Sequence, residues 1–222
     1  MGAFNEFKPL LQGGVKILKY KQEKMIEATK GLVAAEEYQL GAKGICDALT
    51  LRWLAQRLGT KNGKKGFGAG DMKIAREIND IGLARQAFAM HAFIADNHAI
   101  LGGRESLKAG AKKYGLILDT GEIERMEVTK SFASMLDDCD LETKILGNAH
   151  YFSYFVDIDG KYIGRHAVGM VGIGGECYFF DSNIGEFKID DMAKFSKTYV
   201  DTYRSSSFKW QIHTGVKCLV TM

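Results

Sequence analysis

The sequence lacks several features that would place it in well-known classes of protein. Pro9 is the only proline, which argues against long, rigid, proline-rich linkers. No run reaches about 18 apolar residues, the length of a helical membrane span, and the first residues show no charged-then-apolar signal peptide. Glu6 stands where N-myristoylation requires Ser or Thr. These absences predict a globular chain that has no integral membrane span and no standard secretion signal.

Dense disulfides and strong charge are also lacking. None of the four cysteines forms a C-x-x-C pair, so we expect free thiols in a reducing compartment. Net charge is only +3, and the lysine-rich stretches 16–30 and 61–66 contain no arginine and one aromatic residue, Tyr20, whereas a nucleic-acid-binding patch usually mixes more of both with its lysines. We therefore predict no nucleic-acid partner.

The first two thirds of the chain have the apolar spacing of helices. The pattern predicts helices over 15–33, over 45–58 with Gly59 as the stop, and from an N-cap at Asp71 to about Leu101. Shorter helices are predicted over 104–114 and 130–138. The helix over 45–58 is apolar nearly all round, so we expect it to be buried.

Strand patterns dominate after Asn148. Aromatic and β-branched segments at 151–158, 161–173 and 176–181 are separated by Asp159-Gly160 and Gly174-Gly175, which favour tight turns. A helix over 190–203 and a final strand pair over 208–222 follow. The fold class is therefore α+β, a helical lobe followed by an antiparallel β-sheet lobe. We divide the chain into an N-terminal helical segment, 1–35, and a main domain, 36–222.

Cys46 stands where the buried helix is predicted to begin. A thiol attacks as thiolate, and both a helix N-terminus and a nearby imidazolium favour that charged form. The free N–H groups of the first helical turn can also donate to a developing oxyanion. Cys46 is thus a candidate nucleophile.

A base and its partner follow about 120 residues later. His166 is predicted near the start of one strand, beside small residues that leave its ring accessible, and Asp181 ends the next strand. We expect a hairpin turned at Gly174-Gly175 to place His166 and Asp181 nearly opposite each other, or diagonal to each other if the pairing is offset by two residues. Their side chains then lie within reach of a hydrogen bond. Such an aspartate orients the imidazole and stabilises its charged form.

Three stretches, GICDALTLRWL, RHAVGMVGIG and ECYFFDSNIGEF, in this order, resemble the YopT/AvrPphB-type papain-fold cysteine proteases, which are bacterial effectors. The resemblance implies a papain-like fold and a Cys46, His166 and Asp181 triad. The family often has a proline directly after its aspartate, whereas this chain has Ser182. Only 45 residues precede Cys46, so we expect any autoprocessed N-terminal segment to be short or absent.

Papain-like folds usually add a side-chain amide to the oxyanion hole. Gln39, seven residues before Cys46, is the nearest candidate, and Asn148 is a distant one. No metal or cofactor is expected. His91 and His98 are seven residues apart, a rise of about 10.5 Å along a helix, which is too far for two ligands of one metal.

The resemblance implies a thiol endopeptidase that cleaves a host protein, with a lipid-modified small GTPase or a kinase as possible substrate. It also implies a secreted virulence effector that leaves the bacterium by a non-classical route and acts in the host cytoplasm. Two alternatives stay open. The same triad serves glutamine deamidases and acyltransferases, and the chain is alternatively a binding module that no longer uses its triad.

Overall fold

The computed structural model describes residues 11–18, 20–41, 44–59, 81–119, 132–205 and 209–222. Seven helices lie in these ranges: α1 (Gln22–Thr29), α2 (Ala35–Gly41), α3 (Cys46–Leu58), α4 (Ile81–Leu101), α5 (Gly103–Lys113), α6 (Phe132–Leu146) and α7 (Met192–Ser205). The predicted N-cap Asp71 lies outside the described residues. None of the described helices is long and apolar enough to cross a membrane.

Seven described strands form one sheet. They are β1 (Gly14–Leu18), β2 (Ile117–Asp119), β3 (Ala149–Ile158), β4 (Lys161–Ile173), β5 (Glu176–Asp181), β6 (Gly185–Ile189) and β7 (Gln211–Thr221). Their order is β1-β6-β5-β4-β3-β7-β2, and all neighbours are antiparallel. The meander β3 to β6 forms the centre, and both turns predicted by Asp159-Gly160 and Gly174-Gly175 occur. The α+β class with an antiparallel sheet is confirmed.

Three predicted elements differ from the structure. The helix expected over 15–33 is wrong at its start, because 14–18 form β1 on the edge of the sheet against β6. The apolar residues of a strand followed by a short helix happened to have the spacing of one long helix. The final strand pair is wrong as well, because 211–221 form a single strand that pairs with both β3 and β2. Helix α6 continues to Leu146, well past the predicted end at residue 138.

Two apolar cores lie on opposite faces of the sheet. Side chains alternate along a strand, so Tyr151 and Ala167 face the first core and Phe152 and Val168 face the second. The first core packs the sheet against α3, which is contacted in turn by α4 and α5, and the second packs it against α6 and α7. The boundary between 1–35 and 36–222 stays a prediction.

Helix α3 is fixed to the sheet by close packing and by a buried carboxylate. At Gly169 in β4, an added Cβ would lie 2.9 Å from the Trp53 ring, so only glycine permits this approach. Glu186 of β6, which is fully buried, accepts hydrogen bonds from the Trp53 indole at 3.0 Å and from Arg57. These contacts set the position of the helix whose first residue is Cys46.

Candidate active site

Cys46 is the first residue of α3, as the sequence predicted. The chain enters the helix through Gly44, whose φ of +139° disfavours any side chain with a Cβ. The thiol retains 8% exposure, and its Sγ lies 3.9 Å from the backbone oxygen of Arg165 in β4. The nucleophile candidate therefore sits where the N-terminal end of α3 meets the residue that precedes His166.

His166 and Asp181 are in direct contact, although not in the predicted register. The two-residue turn makes Ile173 and Glu176 the closing pair, so Val168 lies opposite Asp181. The favoured, nearly opposite pairing was wrong, because it left no residues for the turn, and the observed register is the one offset by two. His166 is diagonal to Asp181, a separation that long side chains still span. Its Nε2 lies 2.8 Å from Asp181 Oδ1.

The Asp181 carboxylate is completely buried and accepts four hydrogen bonds. Oδ1 is shared by His166 Nε2 and the backbone N–H of Asn183, at 2.8 and 2.7 Å. Oδ2 accepts from the hydroxyls of Tyr199 and Tyr203 of α7, at 2.6 and 2.7 Å. Burial raises the pKa of Asp181, but the charge of His166 and these donors outweigh it and leave the pKa lowered. Asp181 is thus held as a carboxylate.

The His166 ring is buried, contrary to the expectation that small neighbours leave it accessible. It is 2% exposed and packs among Tyr154, Tyr203 and Trp210 at ring-centroid distances of 5.5 to 6.1 Å. Burial lowers the pKa of His166, but the Asp181 charge and hydrogen bond, with the Cys46 thiol, raise it to about 10. The ring is therefore an imidazolium at neutral pH, with Nε2 bound to Asp181 and Nδ1 available to the thiol.

The other three cysteines are in different surroundings. Cys139, Cys177 and Cys218 are at most 1% exposed, and none of the four cysteines forms a disulfide. Burial raises the pKa of Cys177 to about 12 and that of Cys218 to about 11. Because a thiol reacts as its exposed thiolate, these cysteines are packing residues and Cys46 is the reactive candidate.

A buried amide that the sequence did not reveal ties the site together. The Gln22 side chain accepts the N–H of Ile45 at 3.1 Å and donates to Asn183 Oδ1 at 2.6 Å. Its own backbone N–H donates to Ser182 at 2.7 Å. Gln22 thereby joins the residue before Cys46 to the turn after Asp181. No local sequence signal identifies a bond between residues 161 positions apart.

Neither predicted oxyanion amide shows a comparable contact. Gln39 is exposed on α2 and makes no hydrogen bond that the described part of the chain reveals, so its role stays a prediction. Asn148 stands next to β3 at the end where Gly172 pairs, six residues along β4 from His166. The N–H groups of the first turn of α3 are the donors that the geometry offers near Cys46.

The described residues contain no group of three or more His, Cys, Asp or Glu side chains able to hold a metal ion. What they assemble is a thiol beside an imidazolium whose far nitrogen is held by a buried carboxylate. Such an arrangement is suited to nucleophilic attack and to proton return to a leaving group.

Comparisons with known proteins bear on the fold. No protein-family model matches the sequence, and no curated protein matches it significantly. Among solved structures, the avirulence protein AvrPphB of Pseudomonas is similar with a TM-score of 0.61 and 16% identity over 82% of this chain and 94% of that one. The cysteine protease-like domain PatoxP, from the toxin PaTox of Photorhabdus asymbiotica, has a TM-score of 0.45 and 10% identity, covering 95% and 56% of the two chains. The predicted fold is confirmed by the likeness to AvrPphB.

Proposed function

We propose that this chain is a cysteine protease, a thiol endopeptidase in which Cys46 is the nucleophile, His166 the base and acid, and Asp181 the residue that orients the ring. The observation that carries the proposal is the buried contact of His166 Nε2 with Asp181 Oδ1 at 2.8 Å, with Cys46 at the same ring. A histidine that served only to fill the core would not require a buried carboxylate partner that itself accepts hydrogen bonds from two tyrosines.

In the proposed mechanism these residues act in a sequence of steps. The Cys46 thiolate attacks the scissile carbonyl carbon, and the N–H groups at the start of α3 stabilise the oxyanion. The imidazolium then gives its Nδ1 proton to the departing amine, which leaves a thioester. The neutral ring accepts a proton from water as the hydroxide attacks the thioester, and acid and free thiolate result. Asp181 stays ionised throughout.

The proposed setting is that of an effector which is exported by a non-classical route and cleaves a host protein in the host cytoplasm. The fold shared with a Pseudomonas avirulence protein supports this setting. A lipid-modified small GTPase or a kinase is the proposed substrate class.

Two measurements test the proposal. Iodoacetamide labelling, read by peptide mapping, should modify Cys46 at least about 100-fold faster than the other cysteines at pH 6.5. Intact-mass analysis of host small GTPases and kinases should then give two fragments whose masses sum to the substrate plus water, and Cys46→Ser should give none. A product heavier by about one mass unit, dependent on Cys46, indicates a deamidase instead. Slow and uniform labelling of all four cysteines indicates a binding module.

A further inference from the structure

The sheet face that packs under α3 continues past the helix as exposed surface. Along β3, Tyr151, Ser153 and Phe155 share this face, and Arg165 is the cross-strand partner of Phe155. The Tyr151 hydroxyl donates to Asp47, the residue after Cys46, at 2.5 Å, so this part of the face lies directly beside the nucleophile. Farther along, Phe155 is 40% exposed and Arg165 is exposed as well.

Among the described residues, neutral groups hold Arg165 in place. Its Nε and Nη2 donate to the Ser153 hydroxyl at 3.1 and 2.8 Å, and its guanidinium carbon lies 5.6 Å from the centre of the Phe155 ring. Its Nη1 points toward the start of α5, where a Cβ built on Gly103 would lie 3.9 Å away. Among the residues that the structure describes, no carboxylate forms an ion pair with it. The cation is thus oriented but not neutralised.

The Arg165 backbone oxygen is the atom that lies 3.9 Å from Cys46 Sγ, so this residue borders the reacting atoms. An ordered guanidinium prefers a carboxylate, which it binds through paired N–H donors, and an adjacent ring accepts apolar carbons. We propose that Arg165, supported by Ser153 and Phe155, forms a substrate subsite that takes an acidic side chain next to the scissile bond. This subsite rests on the proposed protease function.

Two alkylating agents of similar size and different charge test the subsite without knowledge of the substrate. Iodoacetate and iodoacetamide both form the S–C bond at Cys46 and release iodide, and they differ in a carboxylate against an amide. The ratio of their rate constants should fall about five-fold in Arg165→Gln and further in Arg165→Glu, while the iodoacetamide rate changes less than about two-fold. The wild type and all of these variants keep the His166 imidazolium, so its attraction for iodoacetate does not change the comparison between them. Lys161→Gln removes an exposed charge at the first residue of β4, four residues before Arg165, and should leave the ratio unchanged.

Peptide pools extend the test to the proposed reaction. Pools that carry Asp, Asn or Lys at each position around the cleaved bond should show one position that prefers Asp, and Arg165→Glu should turn that preference toward Lys. An iodoacetate ratio that stays unchanged in Arg165→Glu, or an equal loss of both alkylation rates, overturns the subsite while selective Cys46 labelling upholds the protease. Loss of selectivity for Cys46 in the wild-type protein instead refutes the protease proposal itself.

Discussion

Replacement of Asp181 by Asn is the most informative single change, because it removes a charge and keeps the volume. The carboxylate accepts four hydrogen bonds, whereas an amide keeps one acceptor oxygen. The pKa of about 10 for His166, against an ordinary 6.5, corresponds to about 5 kcal/mol of preference for the imidazolium. Loss of one partner of a buried pair typically costs about 3–5 kcal/mol, so we expect that loss in the free energy of unfolding at pH 6.

The pKa shifts of His166 and Asp181 determine the pH range in which the loss of stability in Asp181→Asn is largest. The folded pKa of His166 lies above the unfolded value, so the pair stabilises fully below about pH 6.5, and this stabilisation is lost as the pH rises through about 10. On the acid side, the pKa of Asp181 is lowered, so its contribution holds above about pH 4 and disappears below it. The difference between wild type and Asp181→Asn should therefore be largest from pH 4 to 6.5. It should shrink by about 3 kcal/mol by pH 9.5.

Urea unfolding followed by tryptophan fluorescence at pH 5, 6.5, 8 and 9.5 measures this difference. Asp201→Asn makes the same chemical change at an exposed position on α7 and should leave stability unchanged. A difference for Asp181→Asn that stays constant from pH 6.5 to 9.5 would show that the folded protein does not hold His166 as an imidazolium. Activity should also fall by about 10²–10⁴, since the ring is no longer oriented.

Three further changes have definite expected outcomes. His166→Ala should remove activity and reduce the alkylation rate of Cys46 at pH 6 at least ten-fold, and an unchanged rate would exclude this histidine as the partner. Gln22→Ala should lower kcat about ten-fold or more, whereas Gln39→Ala on the exposed face of α2 should not; the opposite ranking would restore Gln39 as the oxyanion amide. Neither ring nitrogen of the buried His150 has a hydrogen-bond partner in the described structure, and burial lowers its pKa to about 4. The unfolded chain therefore takes up the extra proton below about pH 6.5, so His150→Leu should raise the free energy of unfolding by about 1–3 kcal/mol at pH 5 and by less at pH 8.

Local patterns were sufficient for much of the fold. The buried helix with Gly59 as its stop was predicted within one residue, because an all-round apolar run and a glycine are signals contained in one segment. The hairpins were predicted because Asp159-Gly160 and Gly174-Gly175 favour tight turns. Strand β1 was missed since its pairing with β6 is set by residues at the other end of the chain.

The sequence likewise predicted some features of the candidate site and missed others. Cys46 and the contact between His166 and Asp181 follow from residue type, order and turn chemistry, and the diagonal register changed the geometry without breaking the contact. The role of Gln22 was invisible because its partners, Ile45 and Asn183, are remote in sequence. The tyrosines that hold Asp181 were equally hidden, since helical spacing indicates that a face is buried but not what it touches.

The bond between Gln22 and Asn183 also bears on when the candidate site is assembled during folding. It closes a loop of 161 positions, and β1 pairs with β6 across a similar span, so both contacts form only after the chain as far as Ile189 is available. Long loops close late because their entropy cost precedes any gain in contact energy. A nascent or threaded chain therefore lacks the link that Gln22 forms between Ile45 and Asn183. In the proposed protease, catalysis therefore begins only when folding has brought Gln22 and β1 to the segment that follows Asp181.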